Sequence, residues 1–142
     1  MGDERLWALD EAESALPRVR AWLASARRRL SAMRDVEAHL RDLRTVWGEQ
    51  VLSVACPDHE EFLGHVARFQ ECRDAYLLAL EPFVREGIEV KDVEAGLVDF
   101  RGRLGARTVY LCWRDGEAAI RFYHDLDAGF PGRKPIPAIG GP

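Results

Sequence analysis

From Leu16 onward, apolar residues fall at Leu16, Val19, Leu23, Ala26, Leu30, Met33, Val36, Leu40, Leu43 and Trp47, always three or four residues apart. That period is the seam of an amphipathic helix packing along a partner helix. Asp10 with Glu13 resembles a capping box ahead of it, and Pro17 is acceptable in a first turn. The pattern predicts a helix to about Leu52, roughly 50 Å long at ~1.5 Å per residue, too long to stand without a partner. "CPDHEEF" interrupts it at Pro57. Asp58 can then cap a second helix, marked by Phe62, Val66, Phe69, Tyr76, Leu80 and Phe83 and ended by Pro82 and Gly87. Two long helices with a short connection make an antiparallel hairpin over residues 10–86.

After Gly87 the period changes to that of strands. "LVDF" (97–100), "RTVYLCW" (107–113) and "AAIRFYH" (118–124) are short, β-branched and aromatic, and "GRLGA" reads as a hairpin loop between the first two. Asp115-Gly116 is a strong two-residue turn signal. A turn there sets Leu111 opposite Ile120 and Val109 opposite Phe122. One face then carries Val109, Leu111, Trp113, Ile120, Phe122 and His124, and the other, solvated face carries Thr108, Tyr110, Cys112, Arg114, Glu117, Arg121 and Tyr123. The Pro- and Gly-rich stretch beyond His124 reads as an extended tail rather than a further element, with residues 137–142 flexible. The predicted architecture is α+β: one domain over residues 1–142, with a long antiparallel helical hairpin, a small three-stranded antiparallel sheet over 87–136, and the tail.

Charge and composition narrow the function classes. A formal net charge of −4 argues against a nucleic-acid grip, which needs a basic excess. No run is long and apolar enough to span a bilayer, and no signal-peptide pattern opens the chain. Three cysteines, Cys56, Cys72 and Cys112, with no close pair, fit reduced thiols in a cytoplasmic setting. Arg27, Arg28 and Arg29 point to different sides of a helix and make no patch. Cys56, His59 and His65 fit no closed metal signature. Nucleotide-binding and nucleophile-elbow motifs are missing, and Cys112 in mid-strand suits an inert thiol. No cofactor is implied.

The C-terminal segments "GIEVKDVEAGLVDF", "VYLCWRDGE", "YHDLDAGF" and "GRKPI" resemble an uncharacterised bacterial family, domain of unknown function 2203, closely from Gly87 to Ile136; "LDEAESALPRVR" resembles its start. The chain departs from the family pattern at Arg101, Tyr123, Pro131 and Lys134, where Pro, Trp, Ala and Gln are usual. The resemblance implies no particular activity.

Reactive groups concentrate in the C-terminal part: Lys91, Asp92, Asp99, Glu117, His124, Asp125, Asp127 and Arg133. From these, Asp99, Glu117, His124, Asp127 and Arg133 form the candidate site for a small anionic ligand, and the spacing predicts that His124, Asp127 and Arg133 meet, with Asp99 or Glu117. No metal site is assigned; His124 with Asp127 is the weaker metal alternative. In a purely structural reading, His124 caps the sheet, Asp127 folds the following turn, and Arg133 ties the tail to Asp99 or Asp127. Tyr110 and Tyr123, expected on one outer face, pack under the tail "GFPGRKPI". The leading expectation is an interaction or scaffold module that forms a homodimer, with Trp22, Trp47 and Val51 supplying leftover apolar surface. The alternative is a ligand- or metal-dependent enzyme with its site between the sheet and the tail.

Overall fold

A computed structural model describes residues 5–137. The expected flexibility of 138–142 lies outside them. The chain divides into two compact units, one of residues 24–80 and the other of residues up to 23 together with 81 onward.

Helix α1 spans Leu9–Trp47 and a 3-10 turn follows at Gly48–Leu52, so the periodic pattern runs past the α-helix proper. Gly48, at φ +61°, makes this break in a conformation that favours glycine. At the start, the Glu11 carboxylate, not Glu13, reaches back to the Ala8 N–H (2.9 Å), which makes Ala8 the cap. Pro17 therefore lies inside the helix, not in its first turn. Helix α2 spans His59–Glu86 and passes through Pro82 before Gly87 ends it at φ +70°. Asp58 stands at its cap, but its carboxylate accepts the Trp47 indole N–H (2.8 Å). The unit of residues 24–80 is the helical hairpin, with Leu43, Val51 and Phe62 buried among Leu40, Trp47, Cys56 and Val66 near its turn. There His59 Nδ1 lies 2.8 Å from the Val51 carbonyl, and His65 stacks on His39 with ring centroids 5.0 Å apart. Cys56, His59 and His65 thus have separate structural partners.

The other unit carries an antiparallel meander of five strands in sequence order, where three were expected: β1 Ile88–Asp92, β2 Leu97–Leu104, β3 Arg107–Arg114, β4 Phe122–His124 and β5 Lys134–Pro135. β1 was missed because it is short: the alternation of Ile88 and Val90 with Glu89 and Lys91 lasts only four residues. β5 was missed because its pairing to β4 uses two exposed residues of the proline-rich tail. The tail is therefore a sheet element as well as a strap. The "GRLGA" hairpin is present, with Leu104 opposite Arg107 and Gly105 at φ +61°.

The expected register between β3 and β4 is corrected. Asp115 and Gly116 do form a turn, closed by the Glu117 N–H on the Arg114 carbonyl (3.0 Å), with Gly116 at φ +107°. Glu117–Arg121 then leaves the ladder. The Trp113 indole N–H takes the Glu117 carbonyl (3.0 Å), and Ile120 buries as it passes. Pairing resumes three residues later, with Tyr110 opposite His124, Leu111 opposite Tyr123 and Cys112 opposite Phe122. An odd slip exchanges faces. His124 and Phe122 leave the apolar face for that of Asp99, Tyr110 and Cys112, while Tyr123 joins Val109, Leu111 and Trp113. Tyr110 and Tyr123 thus lie on opposite faces.

Val98, Phe100, Val109, Leu111 and Trp113 form the inner face, with Trp7 edge-on to Phe100 (5.2 Å) and Arg20 of α1 over the Trp113 ring (5.3 Å). The second face is not wet. Asp99, Cys112 and His124 on it are each at most 2% exposed. The sheet is covered on both sides, which is why Val98, Asp99 and Phe100 are buried in succession.

Candidate functional site

The buried polar cluster follows from sheet register. Asp99 of β2 stands directly opposite Cys112 of β3, and His124 of β4 stands opposite Tyr110, two residues from Cys112 on the same face. A carboxylate, a thiol and an imidazole thereby meet, with one potential ligand atom from each lying within 4.8 Å of the others. His124 Nε2 is 2.9 Å from Asp99 Oδ2, and its Nδ1 is 3.0 Å from the Asp125 carbonyl oxygen. Asp99 Oδ1 is buried with no N–H or O–H donor, and the Cys112 thiol is a weak donor to this carboxylate.

Burial raises the Asp99 carboxyl above its ordinary range, against the opposing pull of His124. Burial, reinforced by the nearby Asp99 charge, pushes the Cys112 thiol up to about 12. Cys112 is therefore a thiol here and no nucleophile. Its place in the cluster escaped the sequence reading because a mid-strand cysteine gives no signal until its cross-strand partner is known.

The loop after β4 covers this face and encloses a cavity of about 310 Å³ lined by Lys91, Leu97, Asp99, Tyr110, His124, Leu126, Ala128, Gly129 and Phe130. Lys91 bonds Glu89 (2.8 Å) at its edge. The loop is pinned by Asp125, which takes Arg107 (2.5 Å) and Lys134 (3.1 Å), and these cations hold its carboxyl below the usual range.

Arg133 lies over the same face. It donates to Glu117 Oε1 (2.9 Å) and to the Cys112 carbonyl (3.3 Å), and its guanidinium lies 4.1 Å from the Phe122 ring centre and 4.6 Å from that of Phe130. Burial raises the Glu117 carboxyl, but the bonds from Arg133 and the Arg114 N–H outweigh this and leave it below its ordinary value. The candidate residues thus fall into two pairs, Asp99 with His124 and Arg133 with Glu117, on either side of Cys112. Asp127 is exposed and lines neither the cluster nor the cavity. The expected partner of Arg133 among Asp99 and Asp127 is replaced by Glu117, and that of His124 is Asp99.

A larger cleft, about 1010 Å³, lies on the other face among Leu6–Glu13, the β2–β3 turn and Tyr123. It reaches Pro137, the last described residue, and contains none of the clustered groups.

A helical hairpin followed in the chain by an antiparallel meander with a strapped polar face makes this an α+β protein. The chain belongs to the family described as "Uncharacterized conserved protein (DUF2203)", whose model matches residues 5–136. Neither a curated protein nor a solved structure matches it. Among the described residues, no helix is long and apolar enough to cross a membrane.

Proposed function

We propose that this protein is a small-ligand-binding module whose site is the cavity between the polar face of the sheet and the loop after β4. The observation that carries this reading is the convergence of a buried Asp99–His124 pair, the Tyr110 ring and the Lys91 ammonium on one cavity of about 310 Å³. That volume is at the small end for metabolite sites. Phe130 and Tyr110 line the cavity with aromatic rings, and Lys91, already paired with Glu89 (2.8 Å), is the cation that an acidic group would share, which favours a small planar anion. The free state of Cys56, Cys72 and Cys112 supports a reducing, cytoplasmic setting.

The test is a thermal-shift panel of small carboxylates and phosphates, with native mass spectrometry of gently purified protein. At least one compound is expected to raise the Tm of the wild type, by roughly 3–8 °C for a stabilisation of about 1–2 kcal/mol. Ala128→Phe, which fills the cavity, should abolish the shift. A wild type that neither carries nor responds to any small anion removes this reading.

A second reading, self-association, rests on α2. Leu63, Leu77 and Val84 are exposed at multiples of seven residues, with Leu78 beside them and Gln70 in the remaining register position. Trp22 and Trp47 do not add to this stripe: Trp22 packs edge-on against Phe83 (5.4 Å) and Trp47 bonds Asp58. Sedimentation at concentrations on the order of tens of micromolar should show a dimer that Leu77→Glu converts to a monomer. A monomeric wild type excludes it.

A further inference from the structure

We infer that Asp99, Cys112 and His124 form a binding site for a zinc-class divalent transition metal, the ion occupying the space between the carboxylate, the thiol sulfur and the imidazole Nε2.

The two nitrogens of the His124 ring face different partners. Its Nδ1 faces the Asp125 carbonyl oxygen at 3.0 Å. A carbonyl only accepts, so Nδ1 carries a proton, and Nε2 is the ring atom left to take either a second proton or a metal ion. Nε2 faces Asp99 Oδ2 at 2.9 Å, inside a site where both side chains are at most 3% exposed. A carboxylate oxygen and a bare ring nitrogen do not hold such a contact by themselves. Something positive belongs between them, either a proton or a metal ion. A ring N–H on a main-chain carbonyl is also the arrangement that orients a metal-ligating histidine.

A proton alone does not account for the rest of the cluster. Asp99 Oδ1 is buried with no N–H or O–H donor, and the Cys112 thiol, a weak donor, is the group that Asp99 has beside His124, whereas a buried carboxylate serving as a plain acceptor ordinarily has strong donors on both oxygens. Cys112, fully buried, stands opposite Asp99 in the ladder, with its sulfur in the same cluster. A tetrahedral ion with bonds of about 2.0–2.3 Å holds its donors roughly 3.5 Å apart. The separations here, none above 4.8 Å, close on such an ion with side-chain shifts on the order of an ångström.

Charge favours the same assignment. Uptake of the ion expels the proton between Asp99 and His124 and the thiol proton of Cys112. One carboxylate, one thiolate, one neutral imidazole and a divalent ion sum to zero, which a buried site tolerates far better than an isolated charge. Thiolate and imidazole together select zinc-class ions over magnesium or calcium, and three protein ligands leave a fourth position. Asp99 and His124 line the cavity described above, so that position opens on it. Only the occupant of the fourth position rests on the ligand-binding reading.

The probe is cobalt(II), added to tag-free protein freed of metal by mild chelation, followed by zinc competition. The wild type is expected to bind one cobalt per chain, with tetrahedral d–d absorption and a thiolate-to-cobalt charge-transfer band, both lost on adding zinc. Zinc should raise Tm by at least about 5 °C. Cys112→Ser should lose the charge-transfer band, while Cys72→Ser, which changes another buried cysteine, should keep it. If Cys112→Ser does not fold, X-ray absorption on the zinc-loaded wild type decides: one sulfur with nitrogen and oxygen donors supports the site, and a shell without sulfur overturns it. Lack of a charge-transfer band in the wild type overturns it as well, as does a band that survives Cys112→Ser. Ala128→Phe should bind cobalt normally, so loss of anion binding with the cobalt band retained counts against the ligand reading alone.

Discussion

Gly102→Ala is expected to destabilise the protein by at least about 3 kcal/mol, the range of overpacking and lost core contacts combined, and to leave it largely unfolded if its total stability is at the low end for its size. Gly102 is buried in β2, opposite Val109. Its backbone is flanked by Trp7, whose N–H donates to the Arg101 carbonyl (2.9 Å) and whose carbonyl accepts the Arg103 N–H (3.1 Å). The chain before α1 thereby extends the edge of β2 where β1 has ended. A methyl group on Gly102 would run into the Trp7 carbonyl oxygen, and would come within 2.8 Å of Leu111 Cδ1. Neither neighbour can withdraw cheaply. The carbonyl is part of the ladder, and Leu111 is fully buried. Urea unfolding at neutral pH reads the effect. Gly105→Ala, at the tip of the β2–β3 hairpin, is the comparison: nothing lies within 4 Å of its added carbon, and only its φ of +61° resists. It should cost about 1 kcal/mol, well short of Gly102→Ala. Equal losses at the two positions would mean that Trp7 does not hold the place described.

What was legible in the sequence and what was not have different physical origins. The helices were legible because three- and four-residue spacing persists over tens of residues, and no strand imitates it. Their ends were less so. Pro17 and Pro82 look like boundaries, yet a helix secured by packing on both sides of a proline runs through it, as both do here. The β2–β3 hairpin was legible through Gly105 and the alternation of β3. The β3–β4 register was not, because the Asp115–Gly116 turn is real while the segment after it is captured by Trp113 and by the burial of Ile120. Turn chemistry located the turn but did not show where pairing resumes. That slip is what hid the cluster. With Leu111 opposite Ile120, His124 falls on the helix-facing side and Cys112 on a wet one. With Leu111 opposite Tyr123, the two share a buried face with Asp99. Residue types alone placed Asp99, Glu117, His124 and Arg133 near one another, but which acid meets which base was decided by the register and by the path of the tail.

Arg133→Ala is expected to cost about 2–4 kcal/mol, because the guanidinium has several partners at once. It bonds Glu117 and the Cys112 carbonyl, and it lies between the Phe122 and Phe130 rings. Only 14% of its side chain is exposed, so solvent screens these contacts weakly, and its removal leaves Glu117 and a strand carbonyl short of a donor. Arg133→Lys should recover less than half, since an ammonium cannot reproduce the planar stack and the two-way donation together. The pH dependence has a definite sign. The Glu117 carboxyl lies below its unfolded value of about 4.5. Its contribution is therefore present in full above that value and is lost as pH falls through the folded-state pKa. Arg133 pulls on Glu117 through both its hydrogen bond and its charge, beside the Arg114 N–H and charge, so Arg133→Ala should flatten the acid limb of the stability curve. The difference between wild type and variant should shrink below about pH 4.5 and be largest near neutrality. Unfolding curves from neutral pH down to about pH 3 measure it, and Glu117→Gln in both backgrounds isolates the pair. A difference that stays constant across that range would assign the loss to the aromatic sandwich and the Cys112 carbonyl rather than to Glu117. A variant as stable as the wild type would show that the tail is held by Asp125 and β5 alone, and would leave the Arg133 guanidinium to serve a ligand on the covered face of the sheet.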